Sequence, residues 1–149
     1  MRASYIGFVL MALLVSCGVV ENDTPLSQND QGTIYIDYLG IVPVEGGTAA
    51  AFVLVNDSTE AIQFFGYSED YPLYNAEALS DTGWTSLMWG WCGTGAEFYT
   101  VESNSRVEFL ANKPTSSCTW RLVLDITHMD SVNFRRLYSE NIFYEAPQN

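Results

Sequence analysis

Past Gly32, apolar positions recur with a period of two, and Gly, Asn, Asp, Ser or Pro breaks the pattern about every 8–12 residues. Thr33–Tyr38 (TIYIDY) alternates and is rich in β-branched and aromatic side chains, which predicts a strand with one covered face. Ala49–Val55 (AAAFVLV) is apolar throughout, the pattern of a strand covered on both faces. Asn56-Asp57-Ser58 is a turn signal, and Ala61–Phe65 (AIQFF) after it predicts a hairpin partner for the preceding strand. Further strands are expected over Trp84–Trp89, Glu97–Val101, Arg106–Ala111, Thr119–Ile126 and Tyr138–Tyr144. Within Trp120–Asp125 (WRLVLD), Trp120, Leu122 and Leu124 share one face, and Arg121, Val123 and Asp125 the other. No window carries the 3.6-residue period of a helix, and Asp125–Leu137 reads mostly as loop, with one turn at most. The sum is an all-β chain: a single antiparallel β-sandwich over residues 33–146, immunoglobulin-like at most by strand count. The Cys and Trp spacing of true immunoglobulin domains is missing.

The first twenty residues follow a different rule. Arg2 precedes an apolar run from Ile6 to Val15, and small residues Ser16 and Gly18 flank Cys17. A basic start, a short apolar stretch and a small-residue exit describe a secretory signal peptide. Leu14-Val15-Ser16-Cys17 resembles the lipobox of bacterial lipoproteins: an aliphatic residue, a tolerant position, a small residue, then cysteine. That resemblance implies cleavage before Cys17 and lipidation of Cys17. Two or three acyl chains make a stable membrane anchor where one is marginal. Release as a soluble secreted protein and retention as an uncleaved anchor are the competing readings. In the enterobacterial sorting pattern an aspartate after the lipidated cysteine favours the inner membrane, and Gly18 stands there instead. The expected location is therefore the bacterial cell envelope, with the outer membrane favoured if the source has one. In a eukaryotic source the lipobox would carry no meaning, and Asn22-Asp23-Thr24 and Asn56-Asp57-Ser58 would become glycosylation sequons. The chain then divides into a signal peptide (1–16), a lipidated cysteine with a flexible polar tether (17–32) and the sandwich (33–146). The segment Phe52–Asp125 resembles small sandwich domains of bacterial exported proteins, a resemblance that implies no activity.

Composition narrows the partners. A length of 149 residues leaves room for one domain, and 14% aromatic residues exceed what a disordered chain carries. Eighteen acids against six bases give a net charge of -12, which repels phosphate backbones; no nucleic-acid partner is expected. The expected partners are the membrane, through the anchor, and a protein or glycan.

Candidate chemistry is sparse. With Cys17 acylated, Cys92 and Cys118 remain as a pair in an exported domain, and a disulfide between them is the default expectation. A nucleophilic Cys92 served by His128, the chain's one histidine, is the competing reading, without a supporting motif. Trp84–Gly95 (WTSLMWGWCGTG) concentrates tryptophan and glycine. It lacks the strand–loop–helix context and the Gly-Lys-Ser/Thr of a phosphate loop. Its rings either fill the core or form a binding platform of Trp84, Trp89 and Trp91 for a glycan or a partner protein. Asp57, Glu60, Glu69 and Asp70 sit in turns that suit calcium in residue type, yet no EF-hand spacing is present, and zinc would need His/Cys clusters. No metal or cofactor is expected. A glycosidase-type carboxylate pair is the third reading, behind a non-enzymatic binding or structural module and a carbohydrate-binding module.

Overall fold

A computed structural model describes residues 33–87, 91, 93–129 and 131–147. The signal peptide, Cys17, the tether, Trp89 and Cys92 lie outside the described residues.

Eleven strands and no helix are found among the described residues. They are β1 (Ile34–Val44), β2 (Gly47–Asn56), β3 (Ile62–Ser68), β4 (Tyr71–Pro72), β5 (Asn75–Ser80) and β6 (Gly83–Leu87). The series continues with β7 (Glu97–Val101), β8 (Ser105–Ala111), β9 (Cys118–His128), β10 (Phe134–Tyr138) and β11 (Ile142–Tyr144). A three-stranded sheet, ordered β1-β2-β8, packs on an eight-stranded sheet built around β9, and every pairing is antiparallel. The molecule is the all-β sandwich that the alternation predicts.

The apolar run in β2 has its cause in this order. As the middle strand of the small sheet, β2 has neighbours on both edges, and Ala50–Asn56 are all buried. Inward from it lie Phe52 and Leu54; from the other sheet come Phe64, Trp120, Leu122, Leu124 and Ile126. Phe52 stacks on Phe109 at 5.9 Å between ring centres and meets Trp120 edge-on at 5.8 Å. Burying such rings contributes about 1.5–3 kcal/mol each relative to exposure. The face assignment in β9 is as the sequence predicts: Trp120, Leu122 and Leu124 are fully buried, while Arg121 and Asp125 keep contact with water.

Three expectations change. Ala61–Phe65 does not form a hairpin with β2. Residues 57–61 instead carry the chain across the sandwich, and β3 pairs with β9 and β7. The hairpin partner of β2 is β1, through Glu45-Gly46, where Gly46 has φ +82°, a conformation L side chains rarely adopt. Asp125–Leu137 is not mainly loop: β9 runs on to His128 and β10 begins at Phe134. Tyr138–Tyr144 is two strands rather than one. Ser139 interrupts it, because its Oγ accepts the Leu122 N–H at 2.9 Å and donates to the Glu140 carbonyl at 2.9 Å, taking a place in the ladder that a backbone carbonyl would fill.

Asn56 explains the crossing. It ends β2 with its side chain fully buried. Its amide nitrogen faces the carbonyls of Glu60, Val101 and Glu102 at 2.9, 3.0 and 3.0 Å. Its amide oxygen accepts from the Ser58 N–H at 3.2 Å and the Ser58 hydroxyl at 2.6 Å. One carboxamide therefore ties the β2-to-β3 crossing to the β7-to-β8 crossing. The same burial closes the glycosylation reading of Asn56.

Replacing Asn56 with Ala leaves buried carbonyls without a donor, so unfolding free energy should fall by about 2–4 kcal/mol, the usual size for breaking a buried polar network. Urea unfolding checks this as a lowered midpoint at unchanged slope. A variant within experimental error of wild type would remove the crossing from the stability argument.

Candidate functional site

The large sheet has an irregular edge. β3 and β5 both lie along the same side of β9, but not continuously. Phe64 is the last residue of β3 in register, opposite Ile126, and Asn75 is the first of β5, opposite Val123. Between them the chain leaves the sheet as a hairpin closed by the Leu73 N–H on the Phe65 carbonyl at 2.8 Å. Leu124 and Asp125 of β9 have no counterpart on this edge.

The excursion can be this tight only because residue 66 is glycine. A Cβ there would lie 2.7 Å from the Tyr71 carbonyl oxygen and 2.9 Å from the Phe64 ring. The hairpin carries Tyr67 and Tyr71, and Tyr74 follows it; all three surround Trp91. Ring centres of Tyr74, Tyr71 and Tyr67 lie 5.1, 5.9 and 6.2 Å from that of Trp91. The Trp91 indole N–H donates to the Tyr74 carbonyl, which fixes the ring's orientation. Tyr74 is itself buried, its hydroxyl accepting the Asn112 N–H at 2.7 Å, and burial pushes its phenol above the ordinary range.

Over the gap opens a cleft of about 550 Å³ lined by Phe65, Leu73, Tyr74, Asn75, Trp91, Phe98, Asp125 and Phe134. Phe98 and Phe134 form a shelf, their ring centres 6.2 Å apart and their planes 24° apart, and Phe65 leans on Phe98 at 5.3 Å with its ring tilted by 57°. Phe98 and Phe134 are about half exposed. Asp125 is the one acid of the lining. Opposite it on β10, Arg136 approaches with Nε 2.9 Å from Oδ1 and Nη2 3.3 Å from Oδ2. This two-point grip fixes the carboxylate plane, and the carboxylate holds the Arg136 guanidinium above its ordinary pKa.

Of the expected platform residues Trp84, Trp89 and Trp91, two are among the described residues and they stand apart. Trp91 belongs to the tyrosine cluster and borders the cleft. Trp84 sits on β6, where one face carries the Arg121 guanidinium at 4.1 Å; the Tyr138 ring lies at 4.1 Å from the same guanidinium. Glu77 completes that cluster, 2.7 Å from Arg121 Nη2. The cleft also takes Phe65 and Phe98, both in the aromatic-rich stretch 64–99 of the sequence, and Phe134, which lies outside it. A signal was present: Phe134, Arg136 and Tyr138 alternate against Leu137, and Phe65 is in phase with Gln63.

The expected Cys92–Cys118 disulfide is not found. Cys118 is a free thiol, half-buried at the start of β9 opposite Tyr144. Its expected partner lies outside the described residues. An even count in an oxidising compartment states an opportunity; a bond also needs the two Cβ atoms within about 4.5 Å. Burial pushes the Cys118 thiol up, away from the thiolate that a nucleophile requires. His128 stands 3.4 Å from a Glu60 carboxylate oxygen, at the end of β9. Among the described residues no group of three or more His, Cys, Asp or Glu could hold a metal ion, and no helix is long and apolar enough to cross a membrane. No protein-family profile, curated protein or solved structure matches the chain.

Two outcomes follow from this geometry. Without reductant, iodoacetamide should label Cys118 at pH 8, more slowly than after unfolding, because a raised pKa leaves less thiolate; peptide mass mapping reads both rates. Gly66→Ala should destabilise the domain by about 1–3 kcal/mol, as overpacking does, and shift the Trp91 emission, whereas Gly47→Ala, with open space around it, should leave that emission unchanged.

Proposed function

We propose that the chain is a lipid-anchored protein of the bacterial cell envelope whose sandwich is a non-enzymatic binding module. The anchor reading rests on Leu14-Val15-Ser16-Cys17 and the apolar run before it. The binding reading rests on one observation above the others: the cleft at the break beside β9, where fixed aromatic rings meet a few oriented polar groups. Binding sites have this composition, mostly apolar walls with a small number of placed donors and acceptors.

The arrangement favours holding a ligand over transforming it. Hydrolysis of a glycosidic bond uses two carboxyl groups facing each other across the substrate. Among the described residues the cleft lining supplies Asp125 alone, already engaged by Arg136. The thiol at Cys118 is on another part of the sheet, at the β11 end of β9. The 18 acids of the chain, against six bases, speak against a polyanionic partner.

Intact mass of the native protein from a membrane fraction tests the anchor. The expected mass is that of residues 17–149 plus acyl chains, and Cys17→Ser should move the protein out of the membrane fraction while leaving the sandwich folded by circular dichroism. An unlipidated native mass would overturn the anchor and leave the binding module to be judged by its cleft.

A further inference from the structure

Resting on the reading of the cleft as a binding site, we infer that its ligand is a neutral glycan. One sugar ring lies on the Phe98–Phe134 shelf, and its hydroxyls meet Asp125 and Asn75.

Four features select that chemistry. The first is size and shape. The break in the β9 edge is only two residues long, Leu124 and Asp125, so it cannot accept an added strand, whose affinity comes from a run of main-chain bonds. A compact ring with hydroxyls on its rim needs no such run. The second is the shelf. Phe98 and Phe134 present half-exposed, nearly parallel rings, 24° apart, which suits the flat CH face of a pyranose. The third is the set of polar groups. The Asp125 carboxylate is held in plane by Arg136 and retains lone pairs for hydroxyl donors. The exposed Asn75 amide offers both a donor and an acceptor, as adjacent hydroxyls require. The fourth is charge. Among the described residues no cation lines the cleft, and Arg136 beside it is engaged by Asp125, which leaves little to attract a phosphate, sulfate or uronate.

These groups are also held ready before any ligand arrives. The indole N–H of Trp91 is bonded to Tyr74, the Tyr74 hydroxyl to Asn112, and Asp125 to Arg136. Little side-chain freedom is left to lose on binding, which favours a weak, polyhydroxylated ligand.

The test uses the full lipidated chain in a detergent without a sugar headgroup. Tryptophan fluorescence and calorimetry follow titration with a panel of neutral hexasaccharides (gluco-, manno-, xylo- and chito-oligosaccharides) and with polygalacturonate as the anionic control. At least one neutral oligosaccharide should bind saturably and polygalacturonate should not. Phe134→Ala and Asp125→Asn should each weaken binding about tenfold, the scale of one stacking or charged hydrogen-bond contact, with thermal unfolding little changed. Trp84→Ala, whose ring is covered by Arg121, should leave affinity within about twofold. Loss of binding in Trp84→Ala but not in Phe134→Ala would overturn the placement. Preference for polygalacturonate would overturn the neutral-ligand chemistry. A photo-crosslinking residue at position 134, used in intact cells, separates the remaining failures. A protein adduct with no glycan binding overturns the glycan and leaves the binding module standing; no adduct and no glycan binding overturns both.

Discussion

A single buried carboxamide sets how the two sheets face each other. Asn56 lies where the chain leaves the small sheet, and its amide joins that departure to the place where β7 returns to the small sheet as β8. A hydrophobic side chain could fill the same volume but would strand buried carbonyls, each costing about as much as a lost hydrogen bond. With both crossings fixed, Phe52 and Leu54 meet Trp120, Leu122 and Leu124 in one core. The outer face of the large sheet is then left to face solvent with its aromatic rings.

The cleft is a consequence of a fault in that sheet. β3 and β5 would be one continuous neighbour of β9 if residues 65–74 did not leave as a hairpin. Gly66 permits the exit, and the Tyr67, Tyr71, Tyr74 and Trp91 rings pack against one another beyond it. The aromatic cluster therefore replaces lost ladder bonds with ring contacts, and it leaves one strand position exposed beside Asp125. Within a strongly acidic chain, Arg136 balances the charge of Asp125 here, as Arg121 balances that of Glu77.

Most of the architecture was legible because period-two alternation reports burial directly. The runs over β2, β7, β8 and β9 were readable from apolar patterning alone, to within a few residues. β5 was not, since NAEALS carries short and polar side chains: Ala76 and Ala78 face inward but signal little hydrophobicity. β4 is two residues long, below any window. The hairpin expected after β2 failed because a turn signal gives the place of a reversal, not whether the chain returns to the same sheet. Of the site, Trp91 was marked by its unusual segment. Phe65, Phe98, Asp125 and Phe134 come from four different strands, and only strand order brings them together. Cysteine parity carries no distance, and Cys92 lies outside the described residues.

The central position of β9 also orders events in time. Its residues pair with β3, β5, β10 and β11, and it begins only at Cys118. A chain growing from its N-terminus can form the β1-β2 hairpin early and add β8 to it, but the large sheet has no axis until about four-fifths of the sequence has been made. Non-local pairing of this kind is slow to form. Until β9 arrives, β3 can pair only with β4 and β7, and β5 only with β6, so the large sheet exists as two separate pieces. The two pieces join, and the core closes, only once nearly all of the chain is present.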